Sequence, residues 1–291
     1  MSNVSTLDHD AWSGAAQAAA SEAATASLEA GDVLFLPRLR FAIEAGEARL
    51  FTPAILGASK NASYDPATGR LGRTTASGRD AEALGAFIRR FSAAAADLVD
   101  RILPHYRGHL TRSRASFRPA EIAGRQTTWR KDDTRLHVDS FPATPVQGRR
   151  ILRVFTNVNP DGRSRTWRIG DDFDNVARRF AQPFRPPLPG SAVLLQLLRV
   201  TKSRRTPYDR LMLRLHDRMK ADVAYQAHAP QMSFEFPSGT TWMAFTDQVS
   251  HAAMAGQYQL EQTFLVPVDT MRDERRSPLR ILEHMIGQPL V

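Results

Sequence analysis

The chain has 291 residues, 42% hydrophobic and 24% charged, with a formal net charge of +9 and a pI near 10.5, the profile of a soluble globular protein able to bury a substantial core. It contains no cysteine, which excludes disulfides, iron–sulfur clusters, thiolate zinc sites and cysteine nucleophiles and leaves histidine and carboxylate as metal ligands. The basic balance suits anionic partners (nucleic acid, acidic lipid headgroups or an acidic sugar) and equally suits an arginine-rich solubilising surface.

Residues 1–30 are rich in Ala and Ser and offer little to bury, so a flexible N-terminal tail or a loose Ala-rich helix is expected, followed by a single domain over 31–291. The first charges are Asp8 and Asp10, with no basic-then-apolar leader, and no apolar run reaches about 18 residues. A cytoplasmic protein is the expectation. Asp32–Val33–Leu34–Phe35–Leu36 reads as a strand ended by Pro37, and the segment from Lys60 to Gly69 as a polar loop. Leu84, Phe87, Ile88, Phe91, Leu98 and Ile102 recur at helical spacing, predicting a helix from about Asp80 to Leu103 that Pro104 stops. Ser77 with Asp80 resembles a capping pair. Pro104 and Gly108 put His105 and His109 on an irregular turn, a poor setting for a metal.

A basic stretch (Arg112, Arg114, Arg118, Arg125, Arg130, Lys131) leads into Arg135–Leu136–His137–Val138–Asp139–Ser140–Phe141. In an extended chain His137 and Asp139 share one face while Leu136 and Val138 take the other. A second histidine from a facing strand would complete a two-histidine, one-carboxylate set, the arrangement that suits non-haem Fe(II). His251, after the β-rich run Thr240–Thr246, is the candidate. A His-x-Asp triplet is short, however, and a hydrogen-bonded structural histidine is the competing reading.

Residues 149–159 form the next strand, ended by Pro160, with Arg150, Leu152 and Val154 on one face and Arg153, Phe155 and Asn157 on the other. A guanidinium in such a run must meet an anion from the protein or a ligand. Residues 161–230 read as an insertion between strands, with a proline-rich passage, an apolar run from Val193 to Leu198 and a helix near Pro207–Tyr225. His216 and His228 read there as surface or packing residues, Trp167 as a core tryptophan or a sugar-stacking platform, and a peripheral helix closes the chain near Leu279–Ile286.

Taken together, Leu34–Pro37, Lys60–Asp65, Ser116–Pro119, Arg130–Asp139, Arg150–Pro160 and Glu261–Pro267 resemble the Kdo 3-hydroxylase family of the Fe(II)/2-oxoglutarate-dependent dioxygenases. The resemblance implies a mainly β protein with flanking helices around a double-stranded β-helix (jelly-roll, cupin-like) core. It implies hydroxylation of Kdo at carbon 3, giving Ko, on a Kdo-lipid A precursor, by an enzyme peripheral on the inner face of the bacterial inner membrane. His137, Asp139 and His251 would be the catalytic, metal-holding residues, with 2-oxoglutarate as co-substrate and ascorbate restoring Fe(II). One departure stands out: where many relatives carry a cation for the far carboxylate of 2-oxoglutarate, the chain reads Gly256–Gln–Tyr–Gln–Leu–Glu–Gln–Thr263. Arg153 is then the preferred anchor, Arg150 the alternative and Asn157 a neighbour. Arg118, Arg125, Arg130, Arg163, Arg165, Arg204 and Arg205 are candidates for a cationic mouth by charge. An oxygenase acting on nucleic acid and a non-catalytic jelly-roll binding protein are the competing functions, although no dedicated groove-reading motif is present and no nucleic-acid partner is expected.

Overall fold

In chain order the strands are β1 (Val4–Thr6), β2 (Val33–Leu36), β3 (Ala62–Asp65), β4 (Arg70–Gly72), β5 (Thr111–Arg118), β6 (Arg150–Asn157), β7 (Arg165–Ile169), β8 (Met232–Phe236), β9 (Thr241–Phe245), β10 (His251–Ala255) and β11 (Gln259–Val266). The α-helices are α1 (Ala18–Ala30), α2 (Gly78–Ile102), α3 (Phe173–Phe180), α4 (Ser191–Leu197), α5 (Pro207–Ala221), α6 (Val223–His228) and α7 (Pro278–Ile286). The computed structural model describes residues 2–14, 17–183 and 190–291; Pro186, Pro187 and Pro189 of the proline-rich passage lie outside them.

Among the described residues the strands form two sheets, a large one in the order β1-β2-β9-β6-β11-β5-β3-β4 and a small one in the order β10-β7-β8. Strand parity decides what each face meets. On β6, Leu152 and Val154 point out of the barrel and pack with Ala115, Phe117, Leu260 and Phe264 against Leu84, Phe87, Phe91 and Leu98 of α2. Phe155 points in, to an aromatic wall shared with the small sheet: its ring lies 5.1 Å from Trp167, and Trp242 stacks on Phe236 at 4.1 Å. Two sheets facing one another across such a filled interior, with helices on the outside, make a jelly-roll core. Helix α2 ends where Pro104 follows Leu103. At its start Ser77 makes no side-chain cap, and Asp80 instead meets Arg49 at 2.8 Å.

Several elements differ from the sequence reading. Of the two readings of residues 1–30 the helix is present, as α1, but it is docked and not loose: α1 buries Ala24 and Leu28, and β1 before it pairs in parallel with β2. Glu29, also buried, accepts from the Tyr106 hydroxyl at 2.6 Å and from the backbone N–H groups of Arg272 and Asp273, tying the N-terminal helix to two distant segments. The polar stretch 60–69 carries β3, which turns through Gly69 (φ 69°) into β4. Strand β7 lies inside the stretch 161–230 yet is the central strand of the small sheet, so the helical excursion proper falls between β7 and β8. The helices α3, α5 and α7 build a second core with Leu136 and Val138, the residues alternating with His137 and Asp139.

Candidate metal centre

His137 stands on a single bridge, not on the regular strand expected for residues 135–141. Its N–H donates to the His251 carbonyl at 3.0 Å and the His251 N–H returns to the His137 carbonyl at 2.9 Å, while the Asp139 N–H leaves this ladder for Thr246 O at 2.7 Å. The alternation still holds locally: Leu136 and Val138 are fully buried in the helical core, and His137 and Asp139 face the barrel interior with His251.

One ligand atom from each of His137, Asp139 and His251 lies within 4.8 Å of the others. The Nδ1–H of His137 donates to Arg135 O at 2.7 Å and that of His251 to Val249 O at 2.8 Å. A carbonyl can only accept, so these bonds fix the proton on Nδ1 and leave both Nε2 lone pairs free for a cation. Burial lowers both imidazole pKa values, helped at His137 by Lys220 and His251 and opposed at His251 chiefly by Asp139; the neutral ring is the ligating form. Burial works against the Asp139 carboxylate, yet Arg153, His251 and His137 hold it well below the usual carboxylate range. Asp139 Oδ1 sits 3.8 Å from His137 Nε2, and Oδ2, shielded from solvent, accepts no hydrogen bond although Arg153 Nη2 is 3.3 Å away. Two imidazole lone pairs and a carboxylate with spare acceptor capacity, brought together in this way, fit a divalent cation.

The walls come from several elements. Trp167 of β7 stacks on the His251 ring at 5.0 Å and 24° and is buried, a packing residue here and not an exposed sugar platform. His216 of α5, read from sequence as surface or packing, lies edge-on to His137 at 5.3 Å with its Nδ1 3.0 Å from Asp217 Oδ1. Lys220, one turn further on, is buried, donates to Arg130 O at 3.2 Å and adds positive potential at both histidines. Sequence reasoning missed this pair; its only trace was the four-residue spacing on a helix whose inward face the sequence does not declare. His228 lies apart, lining a separate surface cavity with Asn175 and Arg179.

The arginines divide sharply. Arg153 shares the triad's face, with Nη1 3.7 Å from Glu261 Oε2, and Glu261 is held by Arg118 through two 2.9 Å bonds. Arg150 is on the opposite face, fully buried, with Nε on Asp247 at 2.8 Å and Nη2 on Gln248 at 2.6 Å, so it is unavailable to a ligand in the barrel. The Asn157 amide is likewise committed, donating to Arg163 O and Phe236 O while its oxygen accepts from Asn159 N–H. Arg165 of β7 is 3% exposed, donates from Nη1 to Gly256 O at 3.1 Å, leaves Nε without a partner and makes no ion pair among the described residues. Burial, with Arg118 adding to it, pushes its pKa down to about 9. Of the remaining basic candidates, Arg130 pairs with Asp217, Arg163 with Glu121, and Arg125 bonds the Ala120 and Glu121 carbonyls.

A family model described as 3-deoxy-D-manno-oct-2-ulosonic acid (Kdo) hydroxylase matches residues 11–289. Solved structures of one such enzyme are closely similar. A crystal structure of the Kdo hydroxylase KdoO, a non-heme Fe(II) alphaketoglutarate-dependent dioxygenase in complex with alphaketoglutarate and Fe(III), is 41% identical with a TM-score of 0.95, the match covering 99% of this chain and 97% of that one. The cobalt(II) complex of KdoO is 42% identical with a TM-score of 0.96 over the same shares. No curated protein sequence matches.

Proposed function

Because the chain belongs to the Kdo hydroxylase family, we propose that His137, Asp139 and His251 hold Fe(II) and that the enzyme hydroxylates Kdo at carbon 3, giving Ko, on a Kdo-lipid A type glycolipid. The observation that carries this reading is the convergence of three ligand atoms within 4.8 Å, two of them imidazole nitrogens freed by Nδ1–H bonds to backbone carbonyls. When bound, iron with 2-oxoglutarate and dioxygen supplies the oxidising power for C–H hydroxylation, with succinate and carbon dioxide as by-products. His137, Asp139 and His251 would hold the metal through one ligand atom each, a set that suits non-haem Fe(II). Trp167, stacked on His251, and His216, edge-on to His137, pack against the two rings and set their planes. Ascorbate would serve only to keep iron ferrous.

For the far carboxylate of 2-oxoglutarate two cations compete. Both have a buried Nε–H without a partner, but Arg153, the anchor favoured by strand parity, already lies between the Asp139 and Glu261 carboxylates, whereas Arg165 makes no ion pair among the described residues. A desolvated guanidinium with no carboxylate yet at ion-pair distance gains most from a ligand carboxylate, so Arg165 is the stronger anchor and Arg153 the residue that orients Asp139. Arg165→Met is expected to raise the KM for 2-oxoglutarate at least about tenfold with little change in Co(II) affinity; Arg153→Met should disturb metal affinity more than that KM. Steady-state kinetics and calorimetric metal titration separate the two.

The substrate's path is a groove of about 440 Å³ that runs along the open part of the large sheet to Arg153 and Glu261. Arg73, Arg112, Arg114 and Lys202 line it and make no ion pair among the described residues. Four uncompensated cations fit an acidic sugar carried on a further anionic group better than a free sugar acid. Arg112→Ala with Arg114→Ala should therefore raise the KM for the glycolipid about tenfold and flatten the loss of activity with salt, because fewer screened contacts remain, leaving the KM for 2-oxoglutarate unchanged.

The direct test supplies the purified protein with Fe(II), oxygen and 2-oxoglutarate. Succinate release that depends on a Kdo-bearing lipid A precursor, with hydroxylated Kdo found by mass spectrometry, is the expected outcome. Release stimulated by methylated nucleic acid and not by the glycolipid would replace the proposal. No helix among the described residues is long and apolar enough to cross a membrane; the proposed setting is peripheral, on the inner face of the bacterial inner membrane.

A further inference from the structure

Eight large apolar side chains are exposed among the described residues, and five of them fall within 193–200: Val193, Leu194, Leu197, Leu198 and Val200, each between 47% and 75% exposed. Helix α4 thus has no buried stripe comparable to that of α2; Val193, Leu194 and Leu197 face outward with nothing among the described residues over them. Such a patch on a soluble chain marks a surface that is covered in use.

Charge indicates what covers it. Between Asp174 and Asp209 the sequence contains no acidic residue and seven basic ones. Arg199, Lys202 and Arg204, immediately after α4, are exposed and make no ion pair among the described residues. Apolar side chains beside a cationic rim, without a single carboxylate, match the layered chemistry of an anionic lipid surface, hydrocarbon beneath phosphate. A protein partner of ordinary composition would not require the stretch to be free of acids.

The patch is also fixed to the catalytic groove. Val200 and Thr201 N–H groups return to Leu195 O, holding the segment together, and the Lys202 N–H donates to Ala143 O at 3.0 Å. Ala143 and Lys202 both line the groove that leads to Arg153. We infer that Leu194, Leu197, Leu198 and Val200 enter the interfacial layer of an anionic bilayer while Arg199, Lys202 and Arg204 contact its phosphates, docking the groove mouth at the membrane surface. The inference goes beyond the reaction and rests on the functional reading only in taking the groove as the substrate's path.

Cosedimentation with vesicles of phosphatidylethanolamine and phosphatidylglycerol, against phosphatidylcholine vesicles, tests it. Full-length Leu194→Ser/Leu197→Ser/Leu198→Ser should partition at least about tenfold less at every salt concentration. Arg199→Glu should lose much of the salt-sensitive part. Both variants should keep the melting temperature of the parent and its activity on a deacylated, water-soluble Kdo-containing substrate. Unchanged partition of the leucine variant would overturn the inference. So would parent protein that ignores anionic vesicles, or a parent dimer that the leucine variant splits, which would mark the patch as a contact between two copies. If the parent binds vesicles as expected but does not hydroxylate the deacylated substrate, the reaction assignment fails and the docking surface stands.

Discussion

Asp139→Ala is expected to lower succinate release by at least about a thousandfold, well past the roughly 10–100-fold typical of losing an outer partner of a ligand. The argument is electrostatic as much as geometric. Asp139 is the one anionic group of the three, and one of its oxygens accepts no hydrogen bond from the protein. Without it, two neutral imidazoles and the nearby Arg153 guanidinium face the cation, and Arg153 repels what Asp139 attracted. Co(II) affinity should fall in step with activity, whereas the mutual backbone bonds of His137 and His251 do not involve the carboxylate and the fold should persist. Titration with Co(II), followed by its visible absorption, reads the first effect and thermal unfolding the second. Turnover within tenfold of the parent would remove Asp139 from the metal.

The second large effect is on stability. Arg150 and Asp247 form an ion pair at 2.8 Å with side chains 0% and 1% exposed, and the guanidinium lies 4.0 Å over the Phe245 ring. Arg150→Met leaves the Asp247 carboxylate in the interior without a counter-charge, a change that costs about 3–5 kcal/mol and lowers the melting temperature by roughly 10 °C. Burial already lifts the Asp247 pKa, with Arg150 the main opposing influence, so removing Arg150 lifts it further. A carboxyl whose folded pKa is raised costs nothing below its unfolded pKa and costs more as pH climbs through the folded value. The deficit is therefore largest at neutral pH and shrinks as pH falls toward the ordinary carboxylate range. Adding Asp247→Leu should recover much of the loss, because an apolar pair replaces a buried ion pair at little cost. Chemical denaturation of the single and double variants at two pH values checks this; a single variant as stable as the parent would contradict it.

Much of this was legible in the chain because periodicity reports faces. The three- and four-residue steps from Leu84 to Ile102 mark α2, and the alternation through residues 150–157 separates Arg153 from Arg150 before any coordinates are needed. What was hidden follows from short range or from tertiary choice. Strands β3 and β4 have four and three residues, too few to display a period, and the turn chemistry around Gly69 masked them. The N-terminal alanines looked inert because small side chains advertise little burial, while the tether, Glu29, draws its partners from residues 106, 272 and 273. Arg165 alternates with Trp167 and Ile169, a parity the sequence displays, but a count of charges cannot say which arginine the barrel swallows. His137 lies on one bridge and not in a strand because its neighbours' hydrogen bonds go elsewhere: Asp139 N–H to Thr246, Leu136 N–H to the Gln226 side chain.

The reciprocal bond pair between His137 and His251 carries one more implication. Since main-chain atoms fix the spacing of the two rings, the clasp is built when the polypeptide folds and does not wait for its ion. Stripping the protein with a chelator should then yield a folded, silent form that regains turnover on simple remetallation, with no chaperone or refolding step. A cell could thus hold this catalyst in reserve through iron scarcity and recruit it again without new synthesis.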